Sequence, residues 1–171
     1  MSQPRIGEAA TARLLFRPPR LSDTPALFAF MGDPVAMQHT HCQPSLRACR
    51  RHIAGHEWQR RRTGIAPWTI LEREYGRIVG WGGLYDDPFD PGWGNELAYF
   101  FAPGVWGRGY ASELAALSVR MARDVLGLTH LHAFAHRGNP ASRRVLEKAG
   151  FMVQRYLPEM ERDLYRHGLG G

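Results

Sequence analysis

"ELAYFFAPGVWGRGYASEL", Glu96 to Leu114, is the stretch whose reading decides the fold. It begins with an apolar run from Glu96 to Ala102 that lacks polar alternation, which predicts a strand buried on both faces. It ends by opening "YASELAALSVRMARDVLG", where Ala111, Leu114, Ala115, Ser118, Met121, Ala122 and Val125 fall on one helical stripe and Gly127 ends the helix. Between them lies "VWGRGYA", Val105 to Ala111. A strand, a glycine-bearing turn and a helix start make a site for an anion, because the first N–H groups of the helix point outward and its dipole favours negative charge. Gly107 and Gly109 remove Cβ atoms that would block close approach or positive φ, and Arg108 adds a cation. The pattern is not a Walker loop, since no GK[ST] follows, nor GxGxxG, since position 112 is serine. Taken alone, the loop also fits a tight turn with no ligand.

The flanking sequence alternates strand and helix. Downstream, "HLHAFAH" reads as a short strand with His130, His132, Phe134 and His136 on one face. "NPASRRVLEKAG" reads as a helix capped by Asn139, with Pro140 at its first position and Gly150 past its end. "FMVQRYL" and "MERDLYRH" close the chain as strands. Upstream, "ARLLFRP" reads as a strand from Ala12 to Arg17, and "LSDTPALFAFMGD" as a helix of about two turns with Ser22 as a candidate cap. "VAMQHTHCQP" is irregular, and Ser45 is placed to cap a helix reaching about Arg62, with Leu46, Cys49 and Ile53 at helical spacing. "APWTILER" and "RIVGWGGLY" read as strands joined by a turn, followed by the loop "DDPFDPGWGN". The class is mixed α/β (α+β), with strand–helix–strand units late in the chain.

Length and composition bound the rest. The 171 residues fit one domain, and 44% hydrophobic with 22% charged residues fit a globular protein. No apolar run approaches the ~18 residues of a membrane span. The first residues lack a signal-type apolar core, so the expected compartment is the cytoplasm, with no membrane partner. Cys42 and Cys49 lack CxxC spacing and are expected to be reduced thiols. The formal charge is +6, and every basic residue except Lys148 is arginine. That balance favours anionic ligands without choosing among them. The stretch "RRHIAGHEWQRRR" carries one aromatic and no nucleic-acid-binding motif, so no nucleic acid is expected as partner.

The run "ELAYFFAPGVWGRGYASEL", followed by "NPASRRVLEKAGF", resembles the GNAT N-acetyltransferases, most closely the RimJ/RimL-type branch of ribosomal-protein N-terminal acetyltransferases. The family loop reads R/Q-x-x-G-x-G/A; here Trp106, Gly109 and Ala111 fill the marked places, with Trp where the family has Arg or Gln. The opening "ARLLFRPPRLSD" extends the likeness to the first half. The resemblance implies a single GNAT-like domain over residues 1–171, with loose ends at 1–11 and 168–171. It implies a mixed sheet of about six to seven strands flanked by about four helices. It also implies acetyl-CoA as co-substrate, no metal, and direct transfer to a primary amine in a ternary complex. The pyrophosphate would lie on Trp106, Gly107, Arg108, Gly109, Tyr110 and Ala111, with Asn139 and Ser142 nearby, and the pantetheine arm on the strand edge at Tyr99, Phe100 and Phe101. There the arm would add to the sheet as a strand does; core packing is the alternative for at least one of these aromatics. The chain is expected to act as a monomer or homodimer.

Chemistry requires a base for the ammonium and a proton donor for the leaving thiolate. Many family members place a tyrosine acid seven residues after the Asn; here that position is Leu146, which excludes it. Ser142, three residues after Asn139, is the candidate for the sulfur, with a capping role equally open. Glu96 is the first candidate base, directly or through water, against the alternative of a plain strand-end charge. His132 and His136 are its rivals. His39, His41, Cys42, His52 and His56 do not complete a zinc pattern. The acceptor could be a protein N-terminus, an amino acid, a polyamine or another small amine. Asp86, Asp87 and Asp90 in the loop after the third strand either attract it or form a solvated turn. A non-catalytic acyl-CoA-binding module on the same fold is the alternative reading.

Overall fold

The apolar runs become strands of one mixed sheet in the computed structural model, which describes residues 4–170. The elements are β1 (Ala9–Ala10), β2 (Leu14–Arg17), α1 (Thr24–Met31), α2 (Leu46–Thr63), β3 (Trp68–Glu72) and β4 (Ile78–Asp86). Then come β5 (Asn95–Phe101), α3 (Tyr110–Asp124), β6 (His130–His136), α4 (Pro140–Lys148), β7 (Met152–Leu157) and β8 (Arg162–Gly168). The strand order is β1-β2-β3-β4-β5-β6-β8-β7. β5 and β6 run parallel, and every other neighbouring pair runs antiparallel. The eighth strand beyond the expected six to seven is the two-residue β1.

The sheet buries a separate core on each face. α3 and α4 cover one, through Leu114, Ala115, Ala122 and Leu146 against Leu97, Phe101, Leu131, Ala133 and Ala135. α1 and α2 cover the other, through Leu27, Phe30, Met31, Cys49 and Ile53 against Trp81. β5 supplies both cores, as its unbroken apolar run requires. Simple alternation would put Val79 and Trp81 on one face. A register shift in the β3–β4 pairing, where Ile70 meets Gly80 but Leu71 meets Ile78, leaves Val79 as an extra residue. The bulge sends Val79 to the α3 side and Trp81 to the α1/α2 side.

Capping chemistry sets the helix ends. The Ser45 hydroxyl accepts from Ala48 N–H at 3.1 Å, and the Asn139 side chain accepts from Ser142 N–H at 3.1 Å. Ser22 does not cap α1. Leu21–Asp23 form a 3₁₀ turn instead, and Asp23, 3% exposed, takes Arg17 Nη1 and Nη2 at 2.7 and 2.8 Å, Arg20 N–H at 2.8 Å and Thr69 Oγ1 at 3.0 Å. One carboxylate thus ties β2, the turn and β3 together; removing one partner of such a pair costs ~3–5 kcal/mol. On α3, Leu117 is buried while Ala111 and Met121 are only half-buried, and Val125 falls past the helix end, so the helix stripe is rotated from the one expected. Residues 1–3 and 171 lie outside the described residues. In the remainder of the two stretches expected to be loose, Ile6 and Leu169 are buried, and their N–H groups bond Gly64 O and Thr129 O at 3.1 and 2.8 Å. Each end is therefore anchored by one apolar side chain that the bland end composition concealed.

Candidate active site

β5 and β6 are neighbours at a single register pair, Glu96 with His132. Beyond it the strands diverge, and the backbone groups on that edge of β5 lose their partner strand. One of them is recovered by a side chain: Trp106 Nε1–H donates to Phe101 O at 2.9 Å. A cavity of about 750 Å³ passes through this opening from one face of the sheet to the other. Tyr99, Phe100, Phe101, Trp106, Gly107, Gly109, Tyr110, Ala111, Asn139 and Ser142 all line it.

The loop after β5 meets the geometric needs of an anion site. Gly107 and Gly109 have φ of +77° and +82°, and Gly109 is the N-cap of α3. An added Cβ on Gly107 would meet nothing within 4 Å, so this glycine serves the turn and the open space before it, not internal packing. Among the described residues, the N–H groups of Gly107 through Ser112 have no hydrogen-bond partner. A run of free amides at a helix start is a cradle for a diphosphate. Arg108 does not join it. Its guanidinium reaches Glu72 Oε1 at 3.2 Å, and Arg108 is absent from the cavity wall. Among the described residues, the cations on that wall with no side-chain partner are instead Arg144 and Lys148 of α4, neither of which the sequence marked as a site residue.

Glu96 lies under the opening, 3% exposed, and is not itself on the cavity wall. Its register partner Tyr85 is on the wall, beside Glu96 across the β4–β5 pairing. Burial, then repulsion from Asp87, Asp90 and Asp86, pushes the Glu96 carboxyl up to about 8. His132 is turned away: its Nδ1 lies 2.8 Å from Trp93 O, and since a carbonyl only accepts, Nδ1 donates there. His136 does line the cavity, with Nδ1 accepting from Gly138 N–H at 2.9 Å and its ring stacked on His39. On the far side of the opening, Ser142 Oγ and Tyr99 OH lie 3.1 Å apart, a bridge between α4 and β5. Burial raises the Tyr99 hydroxyl to about 12, so it stays protonated.

The α1/α2 end of the cavity is walled by Met31, Met37, His52, His56, Trp81 and Tyr85. Burial lowers His52 to about 4 and His56 to about 3, so both are neutral near pH 7. Among the described residues no group of three His, Cys, Asp or Glu side chains converges to hold a metal ion. Cys49 sits in the second core, and burial pushes its thiol up to about 11, which leaves it unreactive. The wall residues come from four separate stretches, and no local motif marks them; only the "GWGG" glycines hint at close packing, a Cβ on Gly82 falling 2.5 Å from Ala98 O.

The sequence matches the acetyltransferase (GNAT) domain over residues 13–152. It is 26% identical over 141 residues to the uncharacterized protein YkkB of Bacillus subtilis (strain 168), covering 82% of each chain. An acetyltransferase from Agrobacterium tumefaciens superposes with a TM-score of 0.81 at 26% identity, over 95% of this chain and 94% of that one. Mycobacterium smegmatis RimJ, solved in complex with CoA-disulfide, shares the fold with a TM-score of 0.77 at 18% identity, over 98% and 90% of the two chains. Among the described residues no helix is long and apolar enough to cross a membrane.

The raised Glu96 carboxyl has a stability consequence. Its folded value lies above its unfolded one, so the native state gives up stability as pH climbs toward about 8 and the buried group must ionise. Glu96→Gln should melt within about 1 °C of the parent at pH 5 and on the order of 5 °C above it at pH 9. Thermal melts at both pH values check this; parallel melting of the two proteins would contradict it.

Proposed function

The chain belongs to the GNAT acetyltransferase family, and from that premise we propose that it transfers the acetyl group of acetyl-CoA to a primary amine by direct attack in a ternary complex. The observation that carries this reading is the through-sheet cavity, which links the free amides of Gly107 through Ser112 to the wall where Tyr85 meets Glu96. The amides would hold the pyrophosphate, with Arg144 and Lys148 supplying positive charge. The open edge of β5 at Tyr99, Phe100 and Phe101 would pair with the amides of the pantetheine arm, as an added strand does. The site so filled directs the thioester into the opening between β5 and β6. We place the reaction in the cytoplasm.

The balance of the step is simple. A C–N bond forms, the C–S bond breaks, and the ammonium must first lose a proton. Glu96 receives that proton, with the Tyr85 hydroxyl or a water between carboxylate and amine. A base of about 8 is matched to this work near neutral pH, since it is neither fully ionised nor reluctant to accept. Ser142 Oγ, held by Tyr99, donates to the sulfur as it takes on negative charge and leaves as the thiol.

A turnover screen with acetyl-CoA over amines, amino acids and N-terminal peptides tests the reading. CoA binding with no turnover of any amine would overturn it in favour of an acyl-CoA-binding module. Three variants test the parts. Glu96→Gln should lower kcat/KM by about 10²–10⁴-fold, and the parent's kcat/KM should rise with pH through an apparent value near 8 that the variant lacks. Ser142→Ala should lower kcat about tenfold while the CoA dissociation constant changes by less than about twofold. Gly109→Val imposes a branched side chain on φ of +82° at the mouth of the cradle. It should weaken CoA binding at least about tenfold in a folded protein, as calorimetry and circular dichroism would show.

A further inference from the structure

We propose that the outward face of α2 binds a single strand of nucleic acid, on the side of the helix away from the cavity.

The first observation is where the charge of the molecule sits. The chain carries a formal net charge of +6. α2 alone holds six arginines and one glutamate, a net of +5. The fold then sorts these residues. Arg60 turns inward, pairs with Glu57 and donates to the carbonyls of Ile6, Ala66 and Pro67. The other five, Arg47, Arg50, Arg51, Arg61 and Arg62, are exposed and fall within about 120° of the helix circumference. No acidic residue of α2 shares that arc, and among the described residues no ion pair neutralises it. The preference of the chain for arginine over lysine accounts for the residue type and not for its concentration on one face. The sequence offers no nucleic-acid motif because this feature is a face, which only the helix assembles from a charge run.

The second observation is that the free helix carries this charge at its own expense. Arg47 stands in the first turn, where the dipole favours an anion and no acid is present. Arg50 and Arg51 follow it at the i+3 and i+4 positions, the spacings at which like charges destabilise a helix. A polyanion laid along the face removes that repulsion. From Arg47 to Arg62 the stripe runs about 22 Å, room for several nucleotides of an extended strand.

The third is the aromatic residue on the stripe. Trp58 lies between the two arginine groups, 54% exposed, with the Arg62 guanidinium 4.5 Å from its ring centre. An exposed indole flanked by arginines is a platform for an unstacked base. A duplex keeps its bases stacked and has none to offer. The apolar side of α2 is already committed to the second core through Cys49 and Ile53. Within the arc the largest aliphatic side chain is that of Ala54, so the face lacks the apolar patch that a membrane surface or a protein interface would use.

Fluorescence anisotropy with labelled oligouridylate, oligothymidylate and a duplex of equal length tests this. Both single strands should bind more tightly than the duplex, and the tighter of the two identifies RNA or DNA as the ligand. Binding should weaken with salt at a log–log slope of about −3.5, roughly −0.7 for each phosphate neutralised. Arg47→Gln/Arg50→Gln/Arg51→Gln should flatten the slope to about −1.4, and the lysine triple variant should restore it. Arg61→Gln/Arg62→Gln, with a slope of about −2.1, serves if the first variant does not fold. Trp58→Ala should weaken single-strand binding at least about fivefold with the slope unchanged, and Trp58→Phe should recover most of the loss. CoA affinity should stay within about twofold in every variant, since His52 and His56, on the other side of the helix, are what α2 contributes to the cavity. Absence of saturable strand binding at low salt, a slope that the glutamine variants leave unchanged, or a duplex bound as tightly as the strands would overturn the proposal. So would polyglutamate or anionic phosphatidylglycerol vesicles bound as tightly as the strands, which would assign the face to an acidic protein or a membrane.

Discussion

One backbone register pair, Glu96 with His132, governs the site. With more pairs between β5 and β6 the sheet would be continuous and no passage could cross it. With none, the two halves of the sheet would lack their junction. Strand divergence normally leaves backbone groups without partners, at a cost the structure must meet. Here Trp106 caps Phe101 O, and the Tyr99–Ser142 bridge spans the gap between β5 and α4. The aromatic residue in the loop therefore acts first on the strand edge, where it terminates β5 and leaves the groove beside it open.

The glycine loop is held from its outer side by charge. Glu72, buried at the end of β3, accepts from Tyr110 OH at 2.9 Å and pairs with Arg77 and Arg108 at 2.8 and 3.2 Å. Arg13 donates to Arg108 O at 2.8 Å and pairs with Glu113 of α3, which also takes Thr11 and the Arg13 N–H. These contacts depress both carboxyl groups below their ordinary value despite burial. The polar side chains of the loop thus face inward to the fold, and its amides face the cavity. Positioning by side chains and recognition by backbone are divided between the two sides of one short segment.

How much of this could be read in advance follows the range of the interactions. Ser45, Asn139, Pro140 and Gly150 marked helix ends correctly because capping involves residues within a few positions of each other. The two-faced burial of β5 was legible from its unbroken apolar run. The bulge at Val79 was not, since nothing local distinguishes it from regular alternation. The aim of Arg108 was not, because its partner Glu72 is 36 residues away and becomes adjacent only when β3 enters the sheet. The same holds for Tyr85, which gains meaning only from its register with Glu96. The chamber wall was legible least of all, being assembled from side chains that share no segment and no period.

The cavity joins two regions encoded separately along the chain. Residues from Tyr99 to Ser112 and from Asn139 to Lys148 make the α3/α4 end, whereas Met31 to His56 and Trp81 to Asp87 make the other. Their hydrophobic supports are separate as well, one on each face of the sheet. Substitutions that reshape the α1/α2 end therefore need not disturb the packing beneath the amide cradle. A lineage built on this plan can drift in what it admits at one mouth while selection holds the other constant, so descendants can diverge in diet long before they diverge in architecture.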